Sequence, residues 1–168
     1  MRETKKIWKI FLVWNYDKEE EWLNEMAMNG WTLTAVGFCN YTFVKTEPGE
    51  YNIRMEMRPH DDGYLEFLRE NGVEYVGRIL QWHYYRKKTS LGPFELYSDI
   101  ESRIQHMDRI GKMLFAIGMA NLLIGIANSI GPSRLGWINL LCATLLMYAL
   151  GRIQGRKDEL KKESILHE

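Results

Sequence analysis

The chain carries four histidines, His60, His83, His106 and His167, and two cysteines, Cys39 and Cys142. These side chains are the ones best suited to ligate a metal or move a proton near neutral pH. No two histidines stand four residues apart and the cysteines are not closely paired, so no metal site is expected. His60, Asp61 and Asp62 follow Pro59 and could hold a cation or act as acid and base; capping of a helix N-terminus accounts for them better. His83, between Trp82 and Tyr84, reads as a half-buried sheet residue. Cys39 is a conceivable nucleophile, but no His or Asn is placed by the sequence to activate it. No glycine-rich phosphate loop occurs. Arg86, Lys87 and Lys88 form a short basic cluster suited to a solvated sheet edge or to lipid headgroups. A non-enzymatic protein without a cofactor is therefore expected, with His60, His83 and Cys39 as the candidates should it be a membrane-associated enzyme.

Periodicity predicts the elements that must place these residues. Lys6 to Trp14 contains the β-rich run IWKIFLVW and predicts a buried strand. A basic start precedes it, as in a signal peptide, but the apolar run is too short and an acidic amphipathic helix follows. That helix, NYDKEEEWLNEMAMNG, has Asn15 or Asp17 as cap, acids in its first turn and Gly30 at its end, with Trp22, Leu23, Met26 and Ala27 facing inward. Trp31–Phe38 and Tyr41–Thr46 predict a hairpin around Cys39 and Asn40, and Tyr51–Arg58 a half-exposed strand. Pro59 opens a second helix ending at Gly72, with Tyr64, Phe67 and Leu68 inward, and Val73–Lys88 closes with another hairpin. The order predicts an α+β domain, an antiparallel sheet with two helices on one face, with a ferredoxin-like core plus extra strands as the first expectation. The other face would carry Arg54, Glu56, Arg78 and Tyr84 as a binding surface or dimer contact.

Beyond Phe94, Ser98 or Asp99 can cap a helix in which Tyr97, Ile100, Ile104, Met107 and Ile110 make an apolar stripe. It could pack on the domain, on a second copy or on a bilayer surface. It leads without a Gly- or Pro-rich linker into the apolar stretch IGKMLFAIGMANLLIGIANSI, Ile110–Ile130. After the turn GPSR comes LGWINLLCATLLMYAL, Leu135–Leu150. Crossing a bilayer takes about 20 mostly apolar residues. The first stretch meets that and the second lies at the short limit, which predicts a transmembrane helical hairpin. The expected organisation is a cytoplasmic domain over 1–95, an amphipathic connecting helix over 96–112, the hairpin over 113–151 and a charged tail over 152–168.

Within the hairpin, Gly111, Gly118 and Gly125 recur every seven residues, and Asn121 and Asn128 follow two of them by three. Gly136, Asn139 and Ala143 form a similar stripe on the second helix. Small residues let helices approach and polar ones hydrogen-bond across, so Gly118, Asn121, Gly125, Asn128, Gly136, Asn139 and Ala143 are the expected packing residues. Folding about the turn puts Asn128 near Gly136 to Asn139 and Asn121 near Thr144. A polar path for an ion or solute is the alternative, though only Lys112, at the edge, is ionisable.

Positive charge sets orientation. Arg103, Arg109 and Lys112 precede the first span and Arg152, Arg156, Lys157, Lys161 and Lys162 follow the second, against Arg134 alone in the turn. Both termini should face the cytoplasm, where Cys39 stays reduced, and Cys142 inside a span cannot reach it. Zero net charge gives no argument for nucleic acid. Six Trp, nine Tyr and six Phe suffice for the core of one small domain.

At WLNEMAMNGWTL, YTFVKTEPGEY, FLRENGVEYVGR, YYRKK and GPFELYSDIESRIQHM the chain resembles the bacterial family catalogued as domain of unknown function 2812, over about residues 7 to 108. The resemblance implies a small membrane protein with a cytoplasmic α+β domain and C-terminal spans. Such members are often encoded beside PadR-like transcription regulators, which implies a regulatory or envelope-stress role; it supplies no catalytic residue. The expected function is a membrane-anchored regulatory or protein-binding module. Its partners would be the bilayer and a protein, either a transcription regulator or a membrane complex, with homo-oligomerisation as a further expectation. A small transport or resistance factor acting through the hairpin is the alternative.

Overall fold

The computed structural model describes residues 3–97, 100–130 and 135–166, the last four of these as backbone only. The expected cap at Ser98 or Asp99, the GPSR turn with Arg134, and His167 lie outside the described residues. The chain forms two compact units, Met1–Ser98 and Asp99–Glu168.

The first unit is α+β, and its strands pair antiparallel. In chain order it contains β1 (Thr4–Trp8), α1 (Tyr16–Met28), β2 (Trp31–Gly37), β3 (Asn40–Lys45), β4 (Tyr51–Met57), α2 (Asp62–Glu70), β5 (Val73–Ile79) and β6 (Trp82–Lys88). The six strands divide into two three-stranded sheets, ordered β1-β3-β2 and β4-β6-β5. Each sheet is one β-α-β-β segment, so the unit is one plan built twice. The register repeats too. Trp31 faces Lys45 and Gly37 faces Asn40 in the first sheet; Val73 faces Lys87 and Ile79 faces Trp82 in the second, each position displaced by 42 residues. The bulge recurs at the same place, between Leu33 and Ala35 and between Tyr75 and Gly77. Each helix ends in Asn-Gly, with Gly30 and Gly72 at φ +77° and +76°, the left-handed conformation that lets the chain turn directly into a strand.

Burial explains where the strands depart from expectation. Ile7 alone of β1 is even half-buried, and β1 pairs only with β3; the expected buried strand is an exposed edge that ends at Trp8. Beyond it Ile10 is left in solvent and a single 3-10 turn, Val13–Asn15, leads into α1. By contrast β6 is buried at four consecutive positions, Trp82 to Tyr85, because it is the central strand of a sheet covered on both faces. Trp82 and Tyr84 meet Tyr16 and Glu19 of α1, whereas Tyr85 packs with Leu68 of α2. The two helices therefore approach this sheet from opposite sides. Glu56 and Tyr84, expected on an outer face, are buried, while Arg78 is exposed. On α2 the inward residues are Tyr64, Leu65 and Leu68; Phe67 points outward.

The main core joins α1 to β2, β3 and β4 through Leu23, Ala27, Leu33, Phe43, Ile53 and Met55. Trp22 completes it, in edge-on contact with Tyr41 and Phe43. Helix α1 also seals the free edge of β4. The Asn24 amide donates to the Ile53 carbonyl and accepts from the Ile53 N–H, both at 2.9 Å, and Glu20 accepts from the Met55 N–H at 2.9 Å. Side chains thus occupy the hydrogen-bonding positions that another strand would otherwise seek.

The second unit is two antiparallel helices, α3 (Ile100–Ile130) and α4 (Gly136–Leu166), of 31 residues each. At 1.5 Å per residue each is about 46 Å long, against about 30 Å of hydrocarbon. Both are long and apolar enough to cross a membrane. From residue 152 the chain continues α4 as far as Leu166, and Lys157 meets Asp108 of α3 at 2.8 Å. Met107 and Ile110 of the amphipathic stripe are buried, with Ile153 of α4 buried at the same end of the helix pair.

Candidate functional site

In the helical unit the small residues sit where the backbones approach. A Cβ at Gly118 would lie 2.6 Å from Met147 Cε; one at Gly125 would lie 2.9 Å from Leu140 Cγ and 3.1 Å from its N. A Cβ at Gly136 would lie 2.5 Å from the Gly125 carbonyl oxygen. Ala143 is buried. Asn121 donates to the Ile117 carbonyl of its own helix at 2.9 Å, as Thr144 does to Leu140. Asn128 and Asn139 are half-buried.

The first unit holds two buried polar clusters that sequence patterns gave no reason to expect. In the first, Glu19 of α1 is 7 % exposed and its Oε1 accepts from the hydroxyls of Tyr41 and Tyr84, each at 2.7 Å. Burial raises the Glu19 carboxyl above its ordinary value, and the two hydroxyls offset this only in part. Burial, with the Glu19 charge second, pushes both tyrosines up as well.

The second cluster lies on the α2 side of β4-β6-β5 and brings together the two histidines that are far apart in sequence. His60 and His83 stack at 5.9 Å, inclined by 9°, and His83 and Tyr85 at 6.3 Å, inclined by 12°. Tyr75 leans on both His83 and Tyr85 at 5.8 Å. Glu56, 2 % exposed, accepts from the Tyr85 hydroxyl at 3.1 Å and faces Arg58 at 3.6 Å, whose guanidinium covers the Tyr64 ring. Burial and then the Glu56 charge push Tyr64 up to about 12. His83 is 1 % exposed, and among the described residues neither ring nitrogen meets a hydrogen-bond partner of good geometry. Burial first, then His60, Arg78 and Arg58, lower its imidazole below the ordinary value, so it is neutral at pH 7. Asp61 caps α2, accepting from the Tyr64 N–H at 3.1 Å, and Asp62 is bound to His60 at 3.0 Å. Cys39 is elsewhere, on the β2–β3 turn, with its carbonyl accepting from Lys9. Among the described residues no three His, Cys, Asp or Glu side chains are grouped to hold a metal.

Between α2 and β5 lies a cavity of about 550 Å³, walled by Leu65, Leu68, Tyr75 and Tyr85. An open, acidic groove of about 610 Å³ runs beside α1, bordered by Glu21, Glu25 and Asn52.

The family described as "Protein of unknown function (DUF2812)" matches residues 15–119. The chain belongs to the DUF2812 family. The matched segment begins at the start of α1, takes in both buried clusters and the cavity, and ends inside α3. What the DUF2812 family match spans is therefore the core of the first unit together with the first two-thirds of a long apolar helix. No curated protein and no solved structure matches the chain.

Proposed function

We propose that this DUF2812 protein is a membrane-anchored cytoplasmic binding module with a regulatory rather than an enzymatic role. The helix pair anchors the chain in the bacterial cell membrane, and the α+β unit engages a protein partner such as a transcription regulator or a membrane complex. The observation that carries the reading is how the apolar helices are used. Only 22 % of the most apolar window of each is buried. Phe115, Leu123, Ile124, Ile126, Leu141 and Leu145 instead face away from the pair. Such side chains on a water-exposed hairpin would be a large unfavourable surface, and in hydrocarbon they are at rest. The basic residues flanking the helices support cytoplasmic termini. A binding role is supported by the placement of the candidate chemical groups, with His83 packed inside a ring stack and Cys39 on the hairpin of the other half.

Two measurements test this together. Full-length protein should stay with membranes after alkaline carbonate extraction. With Cys39 and Cys142 replaced by serine, a Ser133→Cys variant should react with a membrane-impermeant maleimide in intact cells, whereas a Glu47→Cys variant should react only after lysis. Carbonate release, or the reverse labelling, overturns the reading.

A further inference from the structure

We propose that the cleft between α2 and β5 is a binding site for a small planar aromatic cation. The proposal deepens the binding-module reading by naming a ligand class, but the site lies wholly within the first unit and its occupancy does not depend on where the protein resides.

The argument begins with the internal repeat. The displacement of 42 residues sets Leu33 against Tyr75 and Phe43 against Tyr85 in the two sheets. Counting back from Gly30 and Gly72 by the same displacement sets Leu23 and Ala27 of α1 against Leu65 and Arg69 of α2. In the first half the space under the helix is full: Leu23, Leu33 and Phe43 are 0 % exposed and Ala27 1 %. In the second half α2 has 9 residues where α1 has 13, Leu65 is only half-buried, Arg69 is in solvent and Tyr75 is 41 % exposed. One plan has thus produced a closed core once and an open cavity once. A volume of about 550 Å³ falls within the range of about 300–1,000 Å³ usual for small-molecule sites.

The lining indicates what fits. Tyrosines replace the leucine and phenylalanine of the filled half, so the open space meets ring faces with polar edges. Tyr75, 41 % exposed, offers the accessible ring, and Tyr85, 0 % exposed, lies behind it with His83 and His60 in near-parallel array. Ring faces of this kind favour a flat, aromatic, positively charged partner. The rim agrees in sign: Asp62, Glu66 and Glu74 line the cavity against Arg69 alone. Glu66 is bridged to Arg69 and Glu74 to Arg86, each at 2.6 Å, and Asp62, 93 % exposed, to His60. The Asp62 and Glu66 pairs are surface pairs that contribute little in water and yield readily to an incoming cation, whereas Arg86 is part-buried and is also held by the Leu33 carbonyl.

The test is calorimetric titration of full-length protein in zwitterionic nanodiscs with acriflavine, a planar aromatic cation, with empty nanodiscs as blank. Saturable binding of one molecule per chain is expected. Tyr75→Ala, at a part-exposed position, should weaken it about tenfold by removing a ring face. Leu65→Trp, which fills the cavity, should abolish it, and Glu74→Gln should weaken it severalfold. Neutral acridine, titrated at pH 8, should bind at least severalfold less tightly. Absence of saturable heat above the blank overturns the proposal, as does unchanged binding to both Tyr75→Ala and Leu65→Trp, which would place acriflavine elsewhere on the protein. Equal affinity for acridine overturns the assignment of charge. None of these results bears on carbonate extraction or maleimide labelling, so this proposal and the membrane reading fail separately.

Discussion

Tyr41 and Tyr84 stand in different sheets and donate to the same carboxylate oxygen, Glu19 Oε1, each at 2.7 Å. Among the described residues no strand-to-strand ladder joins the two sheets. This shared acceptor, with the Arg86 guanidinium donating to the Leu33 carbonyl at 2.9 Å, supplies polar links across the junction.

Removing one hydroxyl leaves the carboxylate with the other donor; removing both strands a buried acceptor. Tyr41→Phe and Tyr84→Phe should each destabilise by about 1 kcal/mol, and the double variant by more than their sum. Thermal or denaturant unfolding of the four proteins checks this, and strict additivity would show that Glu19 is not the common link.

Glu19 also makes stability depend on pH in a defined direction. Its carboxyl is raised above the ordinary 4.5 in the folded state, so between that value and its folded value the native protein holds a proton that the unfolded chain has released. Stability from this group is therefore lost as pH rises through that window. Glu19→Gln, which cannot ionise, should gain on the wild type as pH is raised above 4.5 and show no such gain below it, measured as the difference in Tm.

His83 has the opposite sign. Its imidazole is lowered from the ordinary 6.5 by burial and by neighbouring cationic groups, so below 6.5 the unfolded chain takes up a proton that the native state refuses. Its contribution is whole above 6.5 and is lost as pH falls toward the folded value. His83→Phe keeps a ring in the stack and removes two unpartnered nitrogens. It should stabilise by about 1–2 kcal/mol at pH 7, and by more at pH 5.5. A destabilised variant would indicate a polar partner for His83.

In the helix pair, alanine substitutions should rank by what the new methyl meets. Gly118→Ala presses on the flexible end of Met147 and should be tolerated. Gly125→Ala meets Leu140 as far as its backbone nitrogen, at 3.1 Å, and should loosen the pair. Gly136→Ala meets the Gly125 carbonyl oxygen and the Ser129 nitrogen, at 2.5 and 2.8 Å, and should loosen it most. Unfolding in micelles, or disulfide trapping between engineered cysteines on the two helices, gives the order directly.

Element types and most boundaries were legible because they rest on local signals. The acids and Asn-Gly end of α1, the alternation in Tyr51–Met57, the Asp61 cap and the Gly spacing in α3 all act within a few residues of themselves. What was not legible depends on pairing. The run after Trp8 looks like a core strand, yet β1 has one neighbour only and the chain leaves it. Glu56 and Tyr84 look like surface residues of an alternating strand; they are interior because each has a polar partner brought from 29 or 65 residues away. The internal repeat had a visible trace, the second Asn-Gly placed 42 residues after the first and each followed by a hairpin. The side chains around it differ so much that the likeness emerges only from the register.

That repeat divides the labour of conservation unevenly. The first half closes under α1 and holds the edge of β4 through Asn24; the second half buries Ile53, Met55, Tyr84 and Tyr85 and leaves only its α2 corner open. Leu65, Arg69 and Tyr75 then answer to the proposed ligand more than to packing, and among related proteins this corner should change in step with what it binds while its filled twin stays fixed.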